Sequence, residues 1–238
     1  MKRESNIKLI LVDPNYAVST AFQARFDYLP NVEIANCDFE QLPSYDCLVS
    51  PANSFGMMDG GVDAAITKFF GISLMERVQQ KILDDYLGEQ SVGTSFIITT
   101  GHPQHPFLAH TPTMRVPMQI IGTDIPYIAM WAMLLAIEQH NRHHHQKIAT
   151  VACPGLGTGI GRIAPDEAAR QMPPLWKVAL SAITNCPGLR LGIKQVSSQV
   201  SNTLRLQAPS TVKGANNSPL HQAAIILTLP PLPPLFKA

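Results

Sequence analysis

The sequence predicts an α/β protein in which one sheet lies between two layers of helices. Short apolar runs alternate with segments that repeat apolar residues at helical spacing, and this alternation is typical of a three-layer α/β sandwich. The chain has 238 residues, of which 45% are hydrophobic, so it can bury a substantial core. Its length fits one domain of medium size, with or without an extension.

Six short apolar segments are predicted as strands. They comprise residues 7–12, 32–35, 47–49, 95–100, 118–122 and 148–152. The first of them, Ile7 to Val12, is apolar and rich in branched side chains, as a buried strand requires. The third is closed by Ser50-Pro51.

Five helices are predicted between and after these strands. They cover residues 15–28, 62–70, 75–86, 126–141 and a segment that begins near residue 165. Pro126 suits the first turn of the fourth helix, because its missing N–H has no helical partner there. The buried stripe of that helix is expected to consist of Ile128, Trp131, Ala132 and Leu135.

Charge and composition divide the chain into two parts. Residues 1–167 hold all 17 acidic residues and 11 of the 18 basic ones, whereas residues 168–238 hold seven basic residues and no acidic one. We predict a folded domain over residues 5–185 and a proline-rich, poorly ordered extension over residues 186–238. The basic residues are widely spaced and the net charge is +1, so a nucleic-acid partner is not expected.

Cysteine usage and hydropathy favour a cytoplasmic protein. The four cysteines, at positions 37, 47, 153 and 186, form no CxxC pair and match no zinc spacing. They are expected to be small apolar residues in a reducing compartment. The first residues do not resemble a secretory signal, and no run of 18 apolar residues is free of charge and proline. A membrane association is therefore not expected.

Three loops after predicted strands carry the residues suited to ligand binding. They are residues 36–42, 50–63 and 153–163, and ligands of such sheets bind where loops leave the carboxyl ends of strands. The last loop has glycine at every second position from Gly155 to Gly161. Such a loop lets backbone N–H groups converge on an anion, most often a phosphate. It matches neither the Walker pattern nor the GxGxxG pattern.

The other two loops place polar groups at strand ends. Asn53 is either an amide that donates to and accepts from a sugar hydroxyl or an ordinary turn residue. Gly60-Gly61 stands before a helix whose free N–H groups favour negative charge. Asp63 is either a ligand contact or an ordinary acidic residue of a first helical turn. Asp38 is either an acceptor for an exocyclic amine or a solvated turn residue.

Four motifs in this order resemble the macro domain family. They are Asp38-Phe39 after an early strand, Pro51-Ala52-Asn53 after the next, Gly60 to Ile66 at a helix start, and Gly157 to Gly161 after a late strand. The resemblance covers roughly residues 5–185. It implies a three-layer αβα fold with a mixed sheet, and ADP-ribose or an ADP-ribosylated protein as the partner.

The resemblance also implies a role for each motif. Asp38 would hold the adenine amine, with backbone contacts from Phe39, and Asn53 would meet the distal ribose. The diphosphate would lie between Gly60, Gly61 and Val62 on one side and Gly157, Thr158, Gly159, Ile160 and Gly161 on the other. In the hydrolases of the family the matching Asn and Asp are linked to catalysis, so Asn53 and Asp63 are the candidate catalytic residues. No cofactor is implied.

Two departures from the family pattern bear on affinity. The family often has three or four glycines before Val-Asp, where this chain has two, preceded by Asp59. The family often has an aromatic residue after Thr-Gly-Ile, where this chain has Gly161. Three hypotheses therefore stay open: an ADP-ribosyl hydrolase, a non-catalytic ADP-ribose-binding module, and a macro-like fold that has lost the ligand.

Two groups of histidines are weaker candidates for a metal site. His143-His144-His145 follows a predicted helix end, where consecutive side chains point in different directions. A second group, with His102, His105 and His110, lies among prolines in a predicted loop. We expect no metal site at either place.

Overall fold

The computed structural model describes residues 7–172 and Trp176. The strands are β1 (Lys8–Val12), β2 (Val32–Ala35), β3 (Cys47–Ser50), β4 (Phe96–Thr99), β5 (Phe107–His110) and β6 (Thr150–Cys153). The α-helices are α1 (Tyr16–Phe26), α2 (Gly61–Phe70), α3 (Ile72–Tyr86), α4 (Ile125–His143) and α5 (Pro165–Gln171), and a 3₁₀ helix covers Phe39–Gln41. The predicted extension over residues 186–238 lies outside the described residues.

The strands of the described chain form one mixed sheet in the order β2-β1-β6-β3-β5-β4. All neighbouring strands are parallel except β4, which runs antiparallel to β5 at the edge. Leu9 of β1 pairs with Val32 of β2 on one side and with Val151 of β6 on the other. The predicted mixed sheet is confirmed.

Alternate residues of the central strands enter two separate cores. On one face, Leu9 and Val151 belong to a cluster that includes buried residues of α1, α4 and α5. On the other face, Ile10 and Leu48 belong to a cluster with residues of α2 and α3. Strands covered on both faces need apolar side chains in both directions, which explains their continuous apolar sequences. The predicted three-layer arrangement is therefore confirmed.

One predicted strand is in the wrong place. Residues 118–122 form no strand, and the fifth strand is instead Phe107–His110. In the first segment Met118 and Ile121 are 49% and 63% exposed, so its apolar residues do not mark a buried strand. The true strand is buried along its whole length. Its signal was concealed by the preceding Pro106 and by its own histidine.

The buried face of α4 also differs from the predicted stripe. Trp131 and Leu135 are 39% and 45% exposed, whereas Ala132 is buried as expected. The core contacts come from a face that includes Met130 and Met133. Most residues of this helix between Ile125 and Ile137 are apolar, so periodicity alone could not select the side that faces the sheet.

Local residues set the ends of the helices. The Asn15 side chain accepts a hydrogen bond from the Ala17 N–H at 3.0 Å, which fixes the start of α1. Helix α3 ends as predicted before Gly88, where Leu87 and Gly88 take left-handed φ angles of 55° and 93°. In the described part of the chain, no helix is both long enough and apolar enough to span a bilayer.

Candidate functional site

The loops at the carboxyl ends of the parallel strands surround two open cavities. The loops that leave β2, β3 and β6 are the three selected from the sequence, and loops after β1 and β5 join them. The smaller cavity has a volume of about 90 Å³ and the larger a volume of about 320 Å³. Both are lined by Gly61, Val62, Gly155 and Gly159, so the cavities adjoin along these four residues.

The smaller cavity lies between the β3–α2 loop, the glycine-rich loop after β6 and the segment after β5. Its lining includes Asn53, Asp59 and Asp63 from the first of these, and Gly157, Gly159, Ile160 and Gly161 from the second. The only charged residues among its described lining are Asp59 and Asp63, and none is Lys or Arg. Any anion bound there has to be recognised by neutral donors.

The larger cavity lies between the loops after β1 and β2 and the start of α2. Its lining includes Asp13, Asn15, Asp38, Phe39, Glu40, Ala65 and Thr158. Asp38 is exposed, and its carboxylate accepts no hydrogen bond from the described residues. Phe39 is buried, with its ring packed edge-on against Phe69 at 5.7 Å between centroids. The Phe39 ring therefore belongs to the core, which leaves its backbone for contacts with a ligand.

Helix α2 brings backbone N–H groups to the junction between the two cavities. Its first hydrogen bond runs from Ala64 N to Gly60 O at 3.3 Å, so Gly61, Val62 and Asp63 have no helical acceptor. Among residues 7–172, no side chain caps this end of the helix. Three N–H groups at the positive end of a helix dipole favour an anion.

The glycine-rich loop after β6 presents a second set of N–H groups. From Gly157 to Gly161 none of them finds an acceptor in the described part of the chain. The loop is held through its carbonyls instead, because Gly157 O accepts from Ile163 N at 3.0 Å and Gly159 O accepts from Arg162 N at 3.1 Å. The N–H groups thus remain available to a bound group.

The two loops face each other across the junction. A Cβ atom placed on Gly60 would lie 3.4 Å from Cδ1 of Ile160. Ile160 is itself 47% exposed, so it stands at the mouth rather than in the core. The residues predicted to lie on opposite sides of a diphosphate are therefore brought together.

Asp63 is a buried carboxyl at the smaller cavity. It is 7% exposed, and the hydroxyl of Ser50, the last residue of β3, donates to its Oδ1 at 2.5 Å. Burial raises the pKa of Asp63 to about 7; the Ser50 hydrogen bond opposes this rise and the charge of Asp59 adds to it. A carboxyl that titrates near neutral pH can take up and release a proton during a reaction.

Asn53 lines the smaller cavity while its side chain holds the loop that surrounds it. Its Oδ1 accepts from the N–H groups of Phe55 and Met57 at 3.1 and 3.3 Å, and its Nδ2 donates to Met57 O at 2.9 Å. An amide nitrogen carries two hydrogens, so one N–H of Asn53 remains for a ligand. The side chain therefore also has a structural role in its own turn, which was the alternative interpretation of Asn53 from the sequence.

Asp13 is a site residue that the sequence reasoning missed. Its carboxylate accepts from Asn15 N at 2.9 Å and from Gly155 N at 3.2 Å, and its carbonyl accepts from Asn36 Nδ2 at 2.9 Å. Burial raises its pKa and the two backbone N–H groups oppose that rise. Asp13 links the loops after β1, β2 and β6. The strand-end rule, applied also to Asp13-Pro14 after the first strand, would have found it.

The structure explains why a glycine stands where the family often has an aromatic residue. A Cβ atom on Gly161 would lie 2.6 Å from Gly157 O and 2.8 Å from Cγ1 of Ile120. Ile120 also donates its N–H to Gly161 O at 2.9 Å. The long segment after β5 thus occupies the space with Ile120, which is buried against the glycine-rich loop.

None of the described histidines lines either cavity. His110 is in β5, not in a loop as predicted, and is fully buried with its Nδ1 2.6 Å from Gln90 Oε1. Burial lowers its pKa to about 3. His143 ends α4 and bonds Gln139 O through Nδ1 at 2.9 Å. Within the described ranges, no three His, Cys, Asp or Glu side chains are grouped so as to hold a metal ion.

Comparison with known sequences supports the resemblance. The sequence model of one family, described as Macro domain, matches residues 49–172. An uncharacterized protein of Aquifex aeolicus is 30% identical over 127 residues, which are 53% of this chain and 70% of that protein. An uncharacterized protein of Aeropyrum pernix is 29% identical over 126 residues, and the chain spans 60% of its length, less than two thirds.

Solved structures of low sequence identity share the fold. The Oceanobacillus iheyensis macrodomain with MES bound has a TM-score of 0.51 and 18% identity, over 78% of this chain and 82% of that chain. The same macrodomain with ADP has a TM-score of 0.50 and 19% identity, over 63% of this chain and 75% of that chain. A mutant of it with ADPR has a TM-score of 0.50 and 18% identity, over 75% and 81%.

Proposed function

Because the chain belongs to the macro domain family, we propose that it binds ADP-ribose, free or attached to a protein, across the two adjoining cavities. One observation carries this proposal: two sets of N–H groups that find no acceptor among the described residues border the junction between the cavities. A diphosphate that joins two ribosyl groups requires anion recognition between two pockets. The Oceanobacillus iheyensis structures with ADP and with ADPR are consistent with such a ligand.

The polar side chains suggest how the ligand would be oriented. The larger cavity would hold the adenosine half, where the exposed carboxylate of Asp38 is free to accept from the exocyclic amine of adenine. The smaller cavity would hold the distal ribose beside Asn53 and Asp63. The opposite orientation would bring adenine to the buried Asp63 and leave Asp38 without a donor.

Neutral donors would suffice for the diphosphate. Each hydrogen bond to a charged group contributes roughly 1.5–3 kcal/mol. About four to six such bonds would exceed the cost of association even without a lysine or a metal. Gly61 to Asp63 and Gly157 to Gly161 supply more N–H groups than that number requires.

Calorimetric titration of the full chain with four ligands tests the proposal. We expect micromolar binding of ADP-ribose, weaker binding of ADP, and much weaker binding of AMP and ribose 5-phosphate, because only ADP-ribose fills both cavities. Equal affinity for ADP-ribose and ADP would show that the distal ribose has no pocket. Absence of binding to all four would leave a macro domain that has lost the ligand.

A second function, hydrolysis of the ADP-ribosyl linkage, is favoured by Asp63. A buried carboxyl with a pKa of about 7 suits a general base. In this reaction water would attack C1″ of the distal ribose as the bond from C1″ to the acceptor breaks. Asp63 would take one proton from the attacking water as the new C1″–O bond forms, and would then release that proton to the departing acceptor, so that Asp63 returns to its starting state. Asn53 would orient the sugar.

Two aspartate variants separate hydrolysis from binding. Asp63→Asn keeps a hydrogen-bonding group beside Ser50 but cannot take up a proton, so we expect a loss of turnover of at least roughly a hundredfold with retained ADP-ribose binding. Asp59→Asn is the comparison variant: it removes the neighbouring exposed carboxylate, which contributes to the raised pKa of Asp63, so turnover should persist with its pH dependence shifted to lower pH. If Asp63→Asn releases ADP-ribose from an ADP-ribosylated protein no more slowly than the wild type, Asp63 is not the general base. The non-catalytic binding module would then be the better description of this site.

We also propose a cytoplasmic location, which rests on cysteine chemistry. The three described cysteines, Cys37, Cys47 and Cys153, are free thiols. Burial raises the pKa of Cys47 above its usual value and that of Cys153 to about 12, so both stay protonated and unreactive. Fractionation of cells that express the full chain tests this proposal.

A further inference from the structure

Exposed apolar side chains border the mouth of the smaller cavity. Met57 and Ile160 line it and are 43% and 47% exposed. Pro117 lines it from the segment after β5 and is also exposed. Met118 follows, 49% exposed, with its N–H 3.4 Å from the sulfur of Met114 in the cavity lining. We call the three lining residues Met57, Pro117 and Ile160, together with the adjacent exposed Met118, the apolar rim.

The two methionines of the rim stand on segments held by backbone hydrogen bonds. Both polar backbone groups of Met57 are bonded to the Asn53 side chain. The segment before Pro117 is tied to the β3–α2 loop, since Thr113 N donates to Ala52 O at 3.1 Å and Ser54 N donates to Met114 O at 3.0 Å. These hydrogen bonds fix the backbone of the rim in the ligand-free protein.

The charges around this mouth offer a polyanion few partners, because no described cation lines the cavity and the exposed Arg162, two residues after Ile160, is a single positive charge. The charged lining residues, Asp59 and Asp63, are both acidic. Arg115, next to the rim in sequence, is engaged by both carboxylate oxygens of Glu89 at 2.6 and 2.9 Å. A nucleic-acid strand would need cations for its phosphates. A polypeptide with apolar side chains would instead bury the exposed methionines and meet no unfavourable charge.

We propose that the apolar rim binds the polypeptide that carries the ADP-ribosyl group, through apolar side chains next to the modified residue. This inference rests on the proposed function, because a distal ribose in the smaller cavity would leave the polypeptide bonded to its C1″ to extend out past the residues at the opening. The rim would then distinguish acceptors by their flanking residues. Asp59, exposed at the same cavity, would disfavour acidic flanks.

The test uses the full chain and three synthetic peptides, each with one ADP-ribosyl group on a non-hydrolysable linker. The flanks are Leu and Met in the first peptide, Gly and Ser in the second, and Asp and Glu in the third; an ADP-ribosylated oligonucleotide and free ADP-ribose complete the set. We expect the apolar peptide to bind roughly tenfold more tightly than the Gly/Ser peptide, from partial burial of two methionine side chains. The acidic peptide should bind most weakly.

Two variants locate the effect. Met57→Ser combined with Met118→Ser should reduce the tenfold preference to about twofold or less, because little apolar surface remains to be buried. Ile72→Ser, which changes an exposed apolar residue of α3, should keep the preference. Each peptide affinity is divided by the affinity of the same variant for free ADP-ribose. This ratio does not depend on the fraction of the variant that is folded. If the double variant does not fold, Met118→Ser alone replaces it.

The outcomes separate the two proposals. Tight binding of free ADP-ribose without any preference among the peptides, or with strongest binding to the oligonucleotide, would overturn the rim proposal and leave the proposed function intact. A preference that survives in the methionine variants would also overturn it. If free ADP-ribose does not bind, both the rim proposal and the proposed function are wrong.

Discussion

Burial gives Asp63 a pKa of about 7, against an ordinary value of 3.8, so the folded protein binds this proton more tightly than the unfolded chain. The cost of ionising Asp63 is absent below about pH 4, grows as the pH rises, and is complete above about pH 7. We expect the free energy of unfolding of the ligand-free protein to contain a contribution that falls across this range. Asp63→Asn should lack that contribution.

Urea unfolding of the wild type and of Asp63→Asn at pH 5 and pH 8 measures this difference. The variant should gain relative stability at pH 8. His110, whose pKa falls to about 3, titrates in both proteins and cancels when they are compared. If the stability difference between the two proteins is the same at both pH values, the pKa of Asp63 is not raised in the folded protein.

Replacing Asp13 should loosen three loops at once, because its side chain and carbonyl contact all of them. Asp13→Ala removes the acceptor for the N–H groups of Asn15 and Gly155, which costs about 1–3 kcal/mol of stability. The glycine-rich loop would lose its anchor, so ADP-ribose affinity should fall as well. Chemical unfolding and calorimetry measure the two effects. Asp13→Asn should be intermediate, since its amide offers one acceptor in place of two, and equal affinity in all three proteins would contradict the anchoring role.

The sequence selected residues that the structure brings to the cavities, but it did not predict the surroundings of their side chains. Asp38, Asn53 and Asp63 follow strand ends, and the structure brings all three to the two cavities. The burial of Asp63 under Ser50 depends on the register of β3 against α2, which no local pattern contains. The side chain of Asn53 stabilises its own loop because the chain turns and brings the carbonyl of Met57 within hydrogen-bonding distance.

The glycines of the loop after β6 differ in how much space surrounds them. Gly161→Ala should destabilise the protein by about 1–3 kcal/mol, because its Cβ would overlap the carbonyl of Gly157 and the Ile120 side chain. Gly159→Ala is the matched control. Nothing lies within 4 Å of a Cβ there, so its effect should stay within about 0.5 kcal/mol. Thermal unfolding checks both, and equal effects would contradict the packing of Ile120 on this loop.

Element order was predictable, whereas the position of one strand and the face of one helix were not. Segments 7–12, 32–35 and 148–152 are bounded by turn residues and appear as β1, β2 and β6. Phe107–His110 was missed because it is short and follows a proline, and its burial comes from pairing with both β3 and β4. The orientation of α4 is decided by tertiary packing, because both of its sides are apolar.

For the whole molecule, we propose that residues 5–185 form the functional domain. Both cavities and the core clusters of the described chain consist of residues between Ile7 and Trp176. A chain that ends at residue 185 should keep the ADP-ribose affinity of the full chain within about twofold, because it keeps these contacts. Calorimetry on both forms measures this. Loss of affinity or of folding in the shorter form would assign residues 186–238 a part in the domain.

The position of β6 has a consequence for synthesis on the ribosome. This strand, at Thr150–Cys153, is among the last elements to be made, yet it lies between β1 and β3 at the centre of the sheet. A nascent chain that has not reached it holds two strand groups, β2-β1 and β3-β5-β4, with no hydrogen bonds between them. The sheet can close only when residue 153 has left the exit tunnel, so folding must wait for most of the domain to be translated.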